Sequence, residues 1–180
     1  MTTTGIQTLI NKANRGDGQA CYELYQEYKN GEHVSADPKA AMDWLEKAID
    51  CNHPQAQLTM GMNMLGDGNI RDAVNYLQLS INNHNADAMN VLGQVYLGNV
   101  RQVSEDIIDK DKGLHLLMQA AHAGSMVAML TLGKICYTGK WVGKDRFAAI
   151  CWLEKAAAAG SEEAQILLDE ALREQTPYLN

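Results

Sequence analysis

The residues that could do chemistry in this sequence are its four cysteines and five histidines. Cys51 and His53 lie two residues apart, but the sequence places no third group beside them to complete a nucleophile and base. His115 and His122 are seven residues apart and share one face of a helix, yet a metal ion there would lack a third ligand. The sequence therefore predicts no catalytic residue and no metal site.

Two loops resemble ligand-binding motifs and depart from them in their details. The stretch GKWVGKD, at 139–145, has three residues between its glycines where a phosphate loop has four, and Asp145 replaces the Ser or Thr that holds magnesium. The stretch DKDKG, at 109–113, begins like a calcium loop, but Ala120 stands in the place of the closing glutamate. We therefore expect no bound cofactor.

Composition and charge limit the class of protein. Of the 180 residues 46% are hydrophobic and 21% are charged, which is ordinary for a globular protein. The first residues lack the pattern of a secretory signal, and no stretch is apolar enough to span a membrane, so we expect a cytoplasmic protein. The net charge of −7 argues against nucleic acid as a partner and is compatible with a basic protein partner.

A repeat is visible in the pentapeptide WLEKA, which begins at Trp44 and again at Trp152, at an offset of 108 residues or three times 36. Alanines recur at a similar period, and each is followed four residues later by a large apolar residue on the same helical face. These alanines are Ala20, Ala56, Ala88, Ala128 and Ala164. In three units a glycine directly follows this large apolar residue, and its small size would let a neighbouring helix approach closely.

A second helix in each unit is predicted by a small residue that is followed three positions later by a large apolar one. The large residues are Trp44, Tyr76, Leu116 and Trp152. The residues that would cap the N-termini of these helices are Asp37, Asn69, Asp109 and Asp145. The residues expected at their left-handed C-terminal caps are Asn52, His84, Gly124 and Gly160, among which His84 does not fit the preference.

These signals predict an all-α fold of about four helix-turn-helix repeats, in a single domain that covers residues 1–180. The predicted units are 16–52, 53–84, 85–124 and 125–160. The predicted capping helices, which close the two ends of the array, are 5–15 and 161–175.

The pattern resembles the Sel-one-like repeat family, which is related to the tetratricopeptide repeats. The fourth unit carries the resemblance in Ala128, Leu132, Gly133, Gly139, Val142, Asp145, Ala149, Trp152, Lys155, Ala156, Ala157 and Gly160. The sequence departs from the family pattern at Tyr25, Cys136 and Gly113, where the family has Gly, Tyr and Ala. The resemblance implies a right-handed α/α superhelix, or solenoid, whose first helices line a concave face that binds other proteins.

The candidate partner-binding residues lie opposite the core stripe of each first helix, two, six and nine residues after its alanine. They are Tyr22, Gln26, Lys29, Leu58, Met62, Leu65, Asn90, Gln94, Leu97, Leu130, Lys134 and Tyr137. Two interpretations stay open, because these side chains either pack between adjacent first helices or form the floor and rim of a groove. Trp141 is a further candidate contact unless it folds back onto its own hairpin.

These observations favour a non-enzymatic module that binds another protein. One hypothesis is an inhibitor, an immunity protein that neutralises a bacterial toxin, and another is an adaptor or scaffold in a signalling or secretion complex. An enzyme alternative comes from the resemblance, because a secreted, cysteine-rich branch of the family bridges its hairpins with disulfides and is connected with β-lactam hydrolysis. Here the corresponding pairs would be Cys21 with Cys51 and Cys136 with Cys151.

Overall fold

The computed structural model describes residues 3–173, and its regular secondary structure is entirely α-helical. The helices are α1 (Thr3–Ala13), α2 (Gly18–Asn30), α3 (Pro38–Asp50), α4 (Pro54–Gly66), α5 (Ile70–Asn82), α6 (Ala86–Tyr96), α7 (Lys110–His122), α8 (Met126–Thr138), α9 (Arg146–Ala158) and α10 (Glu162–Arg173). The all-α prediction is confirmed. Within the described part of the chain, no helix has the length and apolar character needed to cross a membrane.

The helices fall into two compact units that meet between Asn85 and Ala86. In the first unit α2 packs against α3 and α4 packs against α5, while in the second unit α6 packs against α7 and α8 against α9. Each of these four hairpins lies inside one predicted repeat. The predicted capping helices correspond to α1, which packs against α2, and α10, which packs against α9. Positions 174 and 175 of the second one lie outside the described residues, and the single domain stays a prediction.

The second helix of every hairpin buries a leucine that the sequence analysis did not select. This leucine lies four residues after the small residue of the predicted pattern, one position beyond the aromatic residue or leucine that was chosen from the sequence. These buried leucines, each 0% exposed, are Leu45, Leu77, Leu117 and Leu153. The residues chosen from the sequence are only half-buried. Because a helix turns by about 100° per residue, the leucine lies under the first helix and its predecessor lies at the edge of the contact.

In three hairpins this leucine packs on a glycine of the first helix. A Cβ atom added to the glycine would lie 2.9 Å from the leucine Cγ atom (Gly61 and Leu77), 3.1 Å (Gly93 and Leu117) or 2.8 Å (Gly133 and Leu153). Carbon atoms pack at about 3.5–4.0 Å, so a side chain at these positions would force the helices apart. The predicted close approach is therefore confirmed.

Gly113, which departs from the family pattern, has a similar steric reason. A Cβ atom at Gly113 would lie 2.7 Å from Cγ of Leu97 and 3.0 Å from the carbonyl oxygen of Gly93. Gly93 belongs to the facing helix, α6, and Leu97 directly follows the C-terminal end of that helix. Leu97 is 3% exposed. The α6–α7 hairpin therefore uses a glycine on each of its two helices.

The repeated WLEKA segments give each residue the same environment in α3 and α9. The leucine and alanine are fully buried, and the tryptophan is half-buried. The lysine then covers the tryptophan ring, with Nζ 3.8 Å from the ring centroid of Trp44 for Lys47 and 4.5 Å from that of Trp152 for Lys155. A cation over an aromatic face is attractive, and this contact shields the exposed side of the ring.

Three of the four predicted N-terminal caps are confirmed. The carboxylates of Asp37, Asp109 and Asp145 accept hydrogen bonds from backbone N–H groups in the first turns of α3, α7 and α9. The prediction is wrong for Asn69, whose side chain makes no cap hydrogen bond. Its φ of −82° and ψ of 64° differ from the −127° to −142° and 95° to 99° of the other three, and its Nδ2 donates to Sδ of Met64 over 3.9 Å.

All four predicted C-terminal caps adopt the left-handed conformation. Their φ values are 57° at Asn52, 63° at His84, 93° at Gly124 and 98° at Gly160. His84, which did not fit the residue preference, therefore takes the same backbone conformation as the other three. The chain reverses in the same way after each second helix, so the repeats end alike.

We expect Gly133→Ala to lower the free energy of unfolding by about 1–3 kcal/mol, because its methyl group would overlap the fully buried Leu153. Gly66→Ala is the matched control, since a Cβ atom at the end of α4 would meet nothing within 4 Å. Urea unfolding followed by circular dichroism measures both. Equal stability of the Gly133→Ala protein and the unaltered chain would contradict the steric argument.

The caps provide a second pair of variants. Asp145→Ala removes the acceptor of the Ala148 N–H bond of 2.9 Å and should cost about 1 kcal/mol of unfolding free energy. Asn69→Ala removes no cap bond, so its effect should stay within about 0.5 kcal/mol. The same urea titration tests the difference, and a loss at Asn69 as large as that at Asp145 would show that the caps are not the cause.

Candidate functional site

A cleft in the second unit brings together residues that the sequence analysis had selected separately. It has a volume of about 330 Å³ and is lined by Gln94, Asn99, Thr131, Lys134, Ile135, Thr138, Lys140 and Trp141. Helices α6 and α8 and the segments that follow them supply these side chains. Gln94 and Lys134 belong to the predicted partner-binding face, and Trp141 is the predicted loop contact.

The turn after α8 places two of the lining residues. Gly139 ends the helix with φ of 77°, and Trp141 is itself left-handed with φ of 67°. This path turns Trp141 back onto the apolar cluster that contains Leu97 and Ile135. Lys140 then lies over the tryptophan, with Nζ 4.0 Å from the ring centroid. The cluster joins residues of the α6–α7 hairpin with residues of α8, so Trp141 does not pack on its own hairpin alone, and a contact with a partner stays a prediction.

A chain of hydrogen bonds crosses the cleft from the loop to α8. Lys140 Nζ lies 3.0 Å from Oδ1 of Asn99, whose Nδ2 lies 2.6 Å from Oε1 of Gln94. Gln94 Nε2 lies 3.2 Å from Oγ1 of Thr131. Thr131 in turn donates to the backbone oxygen of Val127 over 2.8 Å. The polar side chains of the cleft are therefore hydrogen-bonded to one another.

The charge around the cleft is positive in a chain whose net charge is −7. Lys134 and Lys140 line it, and no Asp or Glu is among the lining residues. At one edge Lys134 Nζ forms an ion pair of 2.7 Å with Oε1 of Glu163 on α10. Lys140 instead donates to the neutral side-chain amide of Asn99.

The other predicted residues of the second unit are placed differently. Leu97 is 3% and Asn90 is 9% exposed, so both are buried, and Oδ1 of Asn90 has no hydrogen-bond partner among the described residues. Leu130 is half-buried and packs against the cluster formed by α9 and α10. Tyr137 is half-buried and lies under Lys144, whose Nζ is 5.2 Å from its ring centroid.

In the first unit, the predicted residues of α2 form a polar surface. Tyr22 is half-buried, and its hydroxyl lies 3.1 Å from Oγ1 of Thr59 on α4. Gln26 and Lys29 are exposed. Lys29 donates to the hydroxyl of Tyr25 over 3.0 Å, and this bond raises the pKa of the lysine.

The predicted residues of α4 range from buried to exposed. Leu58 is 3% exposed, Leu65 is half-buried, and Met62 is 54% exposed. The burial of Leu58 is what packing between helices produces, whereas Met62 is open to solvent. Partner binding by these residues stays a prediction.

Five lining residues of the cleft were not selected from the sequence: Asn99, Thr131, Ile135, Thr138 and Lys140. One signal could have found Thr131. A threonine occurs at the same position of α4 and α8, and each donates to the backbone oxygen four residues earlier, over 2.8 Å. Each also bonds to a polar residue of the preceding first helix, Tyr22 or Gln94.

A second cleft lies in the first unit and has a volume of about 450 Å³. Its lining residues are Met64, Asp72, Asn75, Tyr76 and Leu79, and they include no predicted site residue. The loop beside it is four residues shorter than that of the first repeat and contains no valine. This cleft lacks the cationic groups and the connected hydrogen bonds of the cleft in the second unit.

The cysteines are four free thiols. Cys21 is buried, and burial raises its pKa, with the neighbouring Cys51 as the second cause. Burial also raises the pKa of Cys136. A raised pKa lowers the fraction of reactive thiolate, which does not favour a nucleophilic role. Across residues 3–173, no group of three or more His, Cys, Asp or Glu side chains could hold a metal ion.

His53 caps a helix. Its Nδ1 accepts the N–H of Ala56 over 3.2 Å, so its Nε2 carries the hydrogen and donates to Oε1 of Gln19 over 2.9 Å. Burial lowers the pKa of His53, which favours this neutral form. The imidazole therefore serves the first turn of α4.

Several solved structures share this fold. A crystal structure of a Sel1 repeat protein from Oxalobacter formigenes matches with a TM-score of 0.77 at 22% identity, covering 88% of this chain and 65% of that chain. A protective antigen of uropathogenic Escherichia coli strains matches with a TM-score of 0.76 at 24% identity, over 88% of this chain and 34% of that one. Immunity protein Pa5087 from Pseudomonas aeruginosa matches with a TM-score of 0.62 at 23% identity, over 88% and 59%.

The chain thus spans between about a third and two thirds of the length of these proteins. No curated protein matches it in sequence. The family model of the Sel1 repeat matches residues 18–53, 86–125 and 127–161, which together make up more than half of the chain. The stretch between the first two matched ranges, 54–85, holds α4 and α5, the hairpin with the short loop. The chain belongs to the Sel1 repeat family.

Proposed function

We propose that this protein binds a partner protein in the cytoplasm, through the cleft between α6 and α8, and that it acts as an inhibitor of the immunity type. The proposal includes no catalytic step, no nucleic acid and no membrane. The observation that carries it is the cleft itself, where two residues of the predicted binding face meet Trp141 beside an ordered set of polar groups. Aromatic side chains such as that of Trp141 are enriched in protein interfaces.

The immunity role is supported by two further observations. The fold is shared with an immunity protein of Pseudomonas aeruginosa, although a likeness of 23% identity concerns the fold and not the function. The net charge of −7 would also speed encounter with a basic partner, because opposite charges steer association. An inhibitor of this type binds one partner tightly, with a Kd of about 1 nM. An adaptor binds several partners more weakly.

The test begins with purification of the tagged protein from its native host and identification of what co-purifies by mass spectrometry. The partner is then produced separately and titrated by calorimetry. The informative variant is Thr138→Trp, because Thr138 is exposed and a bulky ring there would fill the cleft. Gln119→Trp is the matched control, since Gln119 is an exposed polar residue of α7 that does not line the cleft.

We expect Thr138→Trp to weaken binding at least about tenfold, or about 1.4 kcal/mol, while Gln119→Trp leaves it unchanged. Growth of cells that express the partner, with and without each variant, then tests inhibition directly. A toxic partner neutralised by the unaltered chain and by Gln119→Trp supports the immunity role. A set of harmless partners would favour the adaptor, and binding undisturbed by Thr138→Trp would show that the cleft is not the binding site.

A further inference from the structure

We propose that the cleft of the second unit binds an acidic side chain, Asp or Glu, of the partner protein. This inference rests on the proposed function, because it names the chemical group that the same cleft would recognise. It follows from the direction of the hydrogen bonds, from the balance of donors and acceptors, and from the charge of the lining residues.

The direction of the hydrogen-bond chain is determined at both of its ends. A lysine ammonium can only donate, so Asn99 must present its oxygen to Lys140 and its amide N–H groups to Gln94. At the other end, Thr131 uses its hydrogen for the backbone oxygen of Val127, so it can only accept from Gln94. Both ends require the same orientation of the two amides, with N–H donors pointing along the chain from Lys140 toward α8.

This orientation leaves the cleft with spare donors. Each side-chain oxygen of the two amides already accepts a hydrogen bond from the preceding member of the chain. Two N–H groups of Lys140, one of Asn99 and one of Gln94 remain without a partner in these bonds. A ligand that supplies acceptors can use these four N–H groups, and a carboxylate supplies two oxygens with about four lone-pair sites.

The charge selects the same group. Lys140 is exposed and carries a positive charge that no carboxylate of the lining balances. Charge-assisted hydrogen bonds are about twice as strong as neutral ones, so an anion gains more here than a neutral amide would. Glu163, bound to Lys134 over 2.7 Å, shows a carboxylate held by the neighbouring lysine at the edge of the cleft.

The size and surroundings favour a single acidic residue. A volume of about 330 Å³ admits one side chain and part of its neighbour, and the tryptophan ring offers an apolar wall to that neighbour. The net charge of −7 disfavours a polyanion, whose many charges would be repelled by the rest of the chain. An isolated carboxylate within a protein segment avoids that repulsion.

The experiment uses the full chain labelled with ¹⁵N and three short probe peptides. The first is acetyl-Leu-Glu-Leu-amide, the second is the same peptide with Gln for Glu, and the third is acetyl-Leu-Gln-Leu with a free terminal carboxylate. The side-chain NH₂ signals of Gln94 and Asn99 and the indole N–H of Trp141 report on the cleft. The variants are Lys140→Gln, Asn99→Asp and, as the matched control, Lys144→Gln, which does not line the cleft.

We expect saturable shifts at these three groups with the Glu peptide, and binding about tenfold weaker with the Gln peptide. Lys140→Gln should weaken binding of the Glu peptide by a similar factor, because it removes the charge. Asn99→Asp should abolish it, because it places a competing carboxylate beside Lys140. Lys144→Gln should leave it unchanged. All three substitutions lie at exposed positions and should keep the dispersed spectrum of the folded chain.

Equal affinity for the Glu and Gln peptides, or no saturable shift at the three groups, would overturn the inference. Tighter binding of the third peptide would also overturn it, in favour of a terminal carboxylate. Calorimetric titration of the partner with the variants separates this inference from the proposed function. If that partner loses affinity with Thr138→Trp but not with Lys140→Gln, the cleft is the binding site and the acidic side chain is not what it recognises.

Discussion

The contact on which each hairpin depends is a fully buried leucine of the second helix packed against the first helix, and in three hairpins it lies on a glycine. The leucine Cγ atom is within about 3 Å of where the glycine would carry a Cβ atom, so the distance between the two helices allows no side chain there. The first hairpin has Tyr25 at the corresponding position and still buries its leucine, Leu45, completely. The helix lengths, the caps and the loops must then keep the leucine of the second helix opposite its contact on the first helix.

The WLEKA pentapeptide combines two kinds of residue in one turn and a half of helix. Its leucine and alanine are fully buried and maintain the packing, whereas its tryptophan and lysine pair with one another at the edge. The hydrophobic pattern alone explains the leucine and the alanine. The tryptophan and the lysine recur together because a half-buried ring leaves one face open, and a lysine three residues later reaches that face.

The cleft of the second unit depends on groups that do not repeat. The Gln94–Thr131 bond has a counterpart in the Tyr22–Thr59 bond of the first unit, but Asn99 and Lys140 extend it only in the second. Both of these residues follow a first helix, where the chain is released from the packing constraint. The repeat therefore supplies the framework, and the residues just beyond the helix ends supply the polar chemistry of the cleft.

The sequence by itself determined the helical class, the four hairpins, the small residues at the helix contact and most of the caps. It could do so because these features depend on local periodicity and on backbone preferences that each repeat shows again. The tertiary structure decided which member of a neighbouring pair is buried, as with Leu153 and Trp152, since positions three and four residues along a helix both belong to its apolar stripe. It also decided the cleft, because Lys140 and Asn99 lie 41 residues apart in the chain and meet only when α6 and α8 pack side by side.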